Sequence, residues 1–390
     1  MTNELYLGLK ACAVFRRVLE KPILIHLMEA LSATEADKRI AAYSAFVSEI
    51  YSEAKPLSDI ITELVLTDEN PYIKARALGR VVDKHLEAEA KREIELFSKI
   101  CALKGEEILA GVSCPFFADY PTSQVDLLSL YEERIKNIDR YGYGIFASSL
   151  MFSIDEDGEF YSIESPDRIS LSHFVGYENE RDAVLSNTRA LMTGKPASNV
   201  LLVGDAGTGK SSTVKAVVNH FANEGLRLIE VPRDRLSLLK KVMEKIGENP
   251  LKFIIYIDDL SLERCDSQFA LLKAALEGSC VAKSDNTVIY ATSNRRHIVR
   301  ESFEDREGNE VHRNDTIEES LSLFGRFGLV VSFSKPSKAL YLRIARELAT
   351  RQGIPTDEEF DILAEAFALR RGSRSARCAE QFVNSLVIKQ

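Results

Sequence analysis

The 390-residue sequence predicts an all-helical N-terminal region followed by an α/β region built on a parallel sheet and closed by a short helical end. Three observations predict it. From about Leu5 to Gly105 the apolar positions recur with helical periodicity. From about Leu171 onward, short apolar strands alternate with amphipathic helices, the pattern of a parallel sheet with helical crossovers. One of those strands runs into a glycine-rich turn that opens a helix.

Composition narrows the function classes first. With 45% hydrophobic and 28% charged residues, the chain is neither disordered nor collagenous nor membrane-embedded. A net charge of −9 removes the overall basic field on which non-specific nucleic-acid binding rests, while leaving room for a local basic patch. The N-terminus, Met1-Thr2-Asn3-Glu4, has no basic leader region and no later apolar run reaches the length of a bilayer span, so a cytoplasmic protein without membrane contact is expected. Cysteines at 12, 101, 114, 265, 280 and 378 form no C-x-x-C pair, and are read as reduced thiols, mostly in the core.

Helix start signals support the N-terminal region. Ser32-Ala33-Thr34-Glu35 has the spacing of a capping box. Asn70-Pro71 combines an N-cap acceptor with a first-turn residue that loses no hydrogen bond. The period breaks at Gly111-Val112-Ser113-Cys114-Pro115 and again at Asp119-Tyr120-Pro121-Thr122. A helix near Asp126 to Asp139 follows, and then apolar stretches either side of Asp155-Glu156-Asp157-Gly158 read as a β-hairpin. The strands beyond are Val200–Val203, Leu226–Val231, Phe253–Ile257, Thr287–Ala291 and Leu329–Phe333, a five-stranded parallel sheet. Between the second and third, Leu236, Leu239, Val242, Met243 and Ile246 share one helical face. Ser337 to Ile388 is again helical, interrupted at Gly353-Ile354-Pro355 and Arg371-Gly372. The expected division is a helical domain over 1–110, a connector with a helix and a hairpin over 111–170, an α/β core over 171–335 and a helical lid over 336–390.

The chemistry is carried by Gly204-Asp205-Ala206-Gly207-Thr208-Gly209-Lys210-Ser211, which fits G-x-x-x-x-G-K-[ST] in the required strand-turn-helix setting. Small residues let the backbone N–H groups of such a loop turn inward onto phosphate oxygens, at a helix N-terminus whose dipole also favours anions. Lys210 is the candidate for neutralising the β- and γ-phosphates of ATP, Ser211 is the candidate Mg²⁺ ligand, and Ser212 completes the nucleotide-binding turn. Phe253 to Ile257 is an apolar strand ending in Asp258 and Asp259. Asp258 is the candidate for holding the metal's water shell, and Asp259 for polarising the attacking water, unless it caps the following turn. The histidines lack metal-ligand spacing, and no H-E-x-x-H, guanine-binding N-K-x-D or transporter L-S-G-G-Q motif is present.

In its order of phosphate loop, Asp258-Asp259, Ala291-Thr292-Ser293-Asn294, Arg326 and Gly372-Ser373-Arg374, the chain from about Leu171 to its end resembles the AAA+ ATPases. More narrowly, Asp258-Asp259-Leu260-Ser261, Ala291 to His297 and Ser320 to Leu329 are similar to the bacterial ATP-binding family known as domain of unknown function 815. The resemblance implies an AAA+ type α/β P-loop NTPase with a C-terminal helical lid, and the binding and hydrolysis of ATP with Mg²⁺. It implies that Asn294 is sensor 1, orienting the lytic water, and that Arg326 is an arginine finger for a neighbouring copy, which requires a homo-oligomer. Gly325 departs from the acidic residue that the family tends to place before that arginine. Phe174-Val175-Gly176-Tyr177 resembles the segment that packs on adenine. Within Arg370 to Arg377 either Arg374 or Arg377 fits sensor 2, with Arg374 preferred. Remodelling of a macromolecular client is the expected use of the hydrolysis. The alternatives are a slow nucleotide-gated binding module and a nucleic-acid-associated loader, the latter supported by Arg295, Arg296 and the lid arginines.

Overall fold

The computed structural model describes residues 2–113, 116–164, 167, 169–260, 271–272, 276, 285–294 and 325–387. The chain divides into two compact units, Met1–Ser148 and Ser149–Gln390.

The first unit is helical: α1 (Thr2–Ala11), α2 (Pro22–Ser32), α3 (Ala36–Glu53), α4 (Leu57–Thr67), α5 (Pro71–Ala77), α6 (Lys84–Cys101), α7 (Gly105–Ile108), α8 (Leu127–Lys136) and α9 (Ile138–Tyr141). Asn70 caps α5 by accepting from the Ile73 amide at 2.9 Å, and Asp83 caps α6 through the His85 amide at 2.8 Å. The capping-box spacing at Ser32 does not act as one: α2 runs through Ser32, and α3 starts after Glu35 with no side-chain cap. Arg39 closes that turn instead, its guanidinium donating to the Ala33 carbonyl at 3.0 and 2.7 Å. In the core, the Phe15 ring meets Phe97 and Tyr131 edge-on at 5.9 and 5.6 Å. Beside it Glu93, 0% exposed, spends both carboxylate oxygens on the backbone that follows α1. Its Oε1 accepts from the amides of Ala13 (2.6 Å) and Val14 (3.1 Å), and its Oε2 from those of Val14 (3.2 Å) and Phe15 (2.9 Å). A buried charge is tolerable here because amide dipoles surround it.

Among the described residues, the second unit is built on one sheet of seven strands, not five. The five expected strands are present as β3 (Val200–Gly204), β4 (Leu226–Glu230), β5 (Lys252–Ile257), β6 (Thr287–Ser293) and β7 (Leu329–Phe333). All are parallel where they pair. The additional strands are the hairpin β1 (Met151–Ile154) and β2 (Phe160–Ser162), and the order is β2-β1-β4-β5-β6-β3-β7. The hairpin joins the sheet because β1 is buried along its whole length and pairs parallel with β4, Phe152 opposite Ile229. Its turn is closed by Asp155, whose Oδ1 accepts from the amides of Asp157 and Glu159 at 2.9 and 2.8 Å. The segment read as a connector is therefore shared out: its helix, α8, lies in the first unit and its hairpin in the sheet of the second.

Helices α10 (Glu178–Met192), α11 (Lys210–His220) and α12 (Leu239–Ile246) accompany the sheet, and β5 and β6 are buried almost residue for residue, as parallel strands covered on both faces must be. Helices α13 (Lys338–Arg351), α14 (Glu358–Arg370) and α15 (Ala376–Val387) follow the last strand. They close a core of their own around Tyr341, Phe360 and Phe382, with the Tyr341 hydroxyl donating to the Ala364 carbonyl at 3.0 Å. No helix of the described residues is long and apolar enough to cross a membrane. Of the cysteines, Cys12, Cys101 and Cys378 are buried free thiols, and burial pushes the Cys12 thiol up to about 12. The other three, Cys114, Cys265 and Cys280, lie outside the described residues.

Candidate functional site

Register brings the chemistry together. Leu201 and Ile257 both lie level with Ala291, so the C-terminal ends of β3, β5 and β6 finish side by side. From those ends come the phosphate loop, Asp258 and Asn294, the position at which open α/β sheets bind ligands. A cleft of about 680 Å³ lies there, within the range of small-molecule sites.

The loop needs its glycines for two different reasons. Gly207 and Gly209 have φ of 77° and 94°, a region costly for residues with a Cβ. Gly204 packs so close to β7 that a Cβ would stand 2.2 Å from the Phe333 carbonyl oxygen. Of the predicted loop residues, Ala206 to Ser212 line the cleft, whereas Gly204 and Asp205 support it from behind by offering their carbonyls to Lys210 Nζ at 2.8 and 2.9 Å. Lys210 is 5% exposed. Lys210 Nζ also donates to Asn294 Oδ1 at 2.9 Å.

Asp258 collects its donors on one oxygen. Oδ1 accepts from Thr292 Oγ1 and the Tyr256 hydroxyl at 2.6 Å each, from Ser211 Oγ at 2.9 Å and from the Asp259 amide at 3.1 Å. Among the described residues none of its hydrogen bonds ends on Oδ2. Burial pushes the Asp258 carboxyl up, but the Thr292, Tyr256 and Ser211 hydroxyls together outweigh it and hold the group below the usual carboxylate range. The same contact keeps Tyr256 a protonated donor: burial and then the Asp258 charge push its phenol up.

Asp259 has φ of 51°, unusual for a residue with a side chain and a strain of roughly 1–3 kcal/mol. Two bonds to one residue hold it there: its amide donates to Thr292 Oγ1 at 2.8 Å, and the Leu260 amide donates to the Thr292 carbonyl at 2.6 Å. Both carboxylate oxygens are engaged, Oδ1 by Asn294 Nδ2 at 2.5 Å and Oδ2 by the Arg233 guanidinium at 2.7 Å. Ser211, Asp258, Asp259, Asn294 and Lys210 thus form one hydrogen-bonded chain along the cleft wall.

The cleft is also lined by Ile169, His173, Phe174, Val175 and Tyr177, with Ile344, Leu348 and Arg351 of helix α13. Arg351 fastens the two, donating to the His173 carbonyl at 2.8 Å and the Ser172 carbonyl at 3.1 Å. The predicted base-packing segment therefore does face the cleft. At the start of α15 the arginines are placed differently from expectation. Arg374, the preferred sensor 2 residue, does not line the cleft, because its guanidinium is held bidentately by Glu365. Arg377 does line it, and its amide donates to the Gly207 carbonyl at 3.4 Å.

Arg326 lies away from the cleft of its own chain. It precedes Leu329, which pairs with Val200 at the start of β3, whereas the phosphate loop leaves the far end of that strand. The separation is on the order of 13 Å of strand. Arg295, Arg296 and His297 fall outside the described residues. Reading the sequence missed Arg233, Tyr256, Thr292 and Glu380. Tyr256 and Thr292 were within reach of it, since each stands two residues before a predicted site residue on a strand and so shares its face. Nothing in the sequence marks Arg233 or Glu380.

Fold and site together define a P-loop nucleotide-binding fold of the AAA+ type. A family model described as "Protein of unknown function (DUF815)" matches residues 147–390, more than half of the chain, and the chain belongs to that family. No curated protein matches it. Among solved structures, a point mutant of RuvB from Thermotoga maritima is 16% identical, with a TM-score of 0.40 over 57% of this chain and 67% of that one. The Thermotoga maritima RuvB Holliday junction branch migration motor is 14% identical, with a TM-score of 0.33 over 56% and 72%. A DNA replication initiation factor is 19% identical, with a TM-score of 0.37 over 56% and 64%.

Proposed function

We propose that the second unit binds ATP with Mg²⁺ in this cleft and hydrolyses it to drive assembly or remodelling of a macromolecular client. The observation that carries the reading is the single hydrogen-bonded chain from Ser211 through Asp258, Asp259 and Asn294 to a buried Lys210, assembled from three strand ends beside a loop of positive-φ glycines. Holding a buried lysine beside two half-exposed carboxylates along one cleft is costly unless a polyanion and a cation complete the charge balance.

The residues fit both. Lys210 and the loop amides suit the β- and γ-phosphates. The Ser211 hydroxyl and Asp258 Oδ2 are hard oxygen donors on a carboxylate held ionised, the kind Mg²⁺ takes while keeping most of its waters. Bound there, the ion would neutralise charge on the phosphate oxygens. Asn294 would orient the attacking water and Asp259 accept its proton. Arg377, rather than Arg374, would reach the triphosphate from the lid.

Arg326, near the starts of β7 and β3 whereas the phosphate loop leaves the far end of β3, supports a role in a neighbouring copy's site and hence a homo-oligomer. A guanidinium supplied that way stabilises charge in the transition state. The test is turnover across a protein dilution series. Wild type should lose specific activity on dilution; Arg326→Ala should bind ATP normally yet hydrolyse it about a thousandfold more slowly. Turnover independent of both concentration and Arg326 would remove the assembly claim.

One observation favours a slower, nucleotide-gated binder as the second reading. Asp259 has both oxygens occupied, by Arg233 and Asn294, and a base so engaged is a poor proton acceptor. Tight ATP binding with turnover near background in wild type would select it.

A further inference from the structure

Besides Asp258 and Asp259, which the metal would balance, one further side chain on the cleft wall carries the wrong charge for a polyanion. Glu380 lies on α15, three residues beyond Arg377, and lines the cleft with Ala376 and Arg377. It is exposed and, among the described residues, forms no hydrogen bond or ion pair, not even with Arg377 on the same helix face. The start of α15 is anchored at the phosphate loop. Besides the Arg377 amide bond to Gly207, a Cβ on Gly207 would come within 3.2 Å of Arg377 Cβ and Ser375 Oγ. Glu380 therefore stands about one helical turn, roughly 5 Å, from the phosphate end. The next wall, formed by Phe174, Val175, Ile344 and Leu348, is apolar and suits a flat base. Between phosphates and base, a nucleotide carries its sugar.

An ionised carboxylate can only accept hydrogen bonds. Beside a triphosphate it is repelled, and that repulsion is offset only where the ligand presents donors. A nucleoside triphosphate has two kinds: the sugar hydroxyls and the amino group of the base. The position of Glu380 on α15 selects the first.

We propose that Glu380 accepts hydrogen bonds from the ribose hydroxyls, making the site selective for ribonucleotides over deoxyribonucleotides. This deepens the ATP-binding reading and rests on it. A hydrogen bond to a charged group at an exposed site corresponds to roughly a tenfold difference in affinity.

The experiment is calorimetric titration of the full chain with ATP, 2′-deoxyATP and 3′-deoxyATP in Mg²⁺, for wild type, Glu380→Gln and Glu380→Ala. Wild type should bind 2′-deoxyATP about tenfold more weakly than ATP, and Glu380→Ala should bind all three alike, with Glu380→Gln between. Equal binding of the three by wild type overturns the assignment, as does discrimination that survives in Glu380→Ala. A uniform tightening of all three in Glu380→Ala also overturns it, because the carboxylate would then only repel phosphate. A wild type that binds ATP but not selectively sinks this inference alone; one that binds no nucleotide sinks the ATP reading with it.

Discussion

Each unit holds a carboxylate at the centre of its hydrogen bonding, and the two are used in opposite ways. In the helical unit, Glu93 shares its backbone bonds between both oxygens, which accept from the amides of residues 13–15 and tie the carboxylate into the core. In the α/β unit, Asp258 gathers four donors on Oδ1. Among the described residues Oδ2 receives no donor, while the charge is stabilised. The difference teaches how to tell a structural carboxylate from a working one: what decides is which oxygen the donors occupy.

The comparison can be broken most forcefully at Glu93. Glu93→Ala leaves the buried amides of Val14 and Phe15 without an acceptor, and should lower the stability of the first unit by roughly 3 kcal/mol, read as an earlier urea transition. ATP affinity of the folded protein should not change. If it falls by as much as the stability, Glu93 is not purely structural.

Lys210→Ala should leave the fold intact and weaken Mg·ATP binding and turnover by about a hundredfold, since one donor aimed at developing charge is worth that much. Next in size is Thr292→Val, which keeps the shape and deletes the hydroxyl that serves both Asp258 and Asp259. Asp258 is depressed in the folded protein, so the stability it adds is fully present above its unfolded value and is lost as pH falls through the lower folded one. Thr292→Val should shift that acid limb, and the acid limb of Mg·ATP affinity, to higher pH. Pairs of pH titrations would show it, and coincident limbs would mean that Thr292 does not tune Asp258. The smallest effect is expected at Arg233. Its ion pair with Asp259 is partly exposed, so Arg233→Ala should change stability by less than about 1 kcal/mol. Turnover should rise a few-fold as an Asp259 oxygen is released. A fall in turnover would make Arg233 a positioning residue instead of a restraint.

Much of this was legible in the sequence where a period or a spacing encodes it. The five parallel strands, the phosphate loop and the carboxylates at the end of β5 follow from local pattern, and each stands within a residue or two of its expected place. The hairpin strands β1 and β2 were read as a hairpin but not as part of the sheet, because a partner strand more than 70 residues away leaves no local mark. Arg374 and Arg377 lie three residues apart with the same charge, and it is the position of Glu365 on α14 that separates them, by holding Arg374 out of the cleft. Arg233 and Glu380 reach the site from the end of β4 and from α15, contributions of tertiary packing alone.

The central claim, that the cleft beside Lys210 is a Mg·ATP site, is tested most directly by titrating ATP into wild type and Lys210→Ala, each with Mg²⁺ and with the metal chelated. The account predicts saturable one-to-one binding by wild type that weakens on chelation, and about a hundredfold loss in Lys210→Ala. Equal affinity in the two proteins, or no binding by wild type, would contradict it.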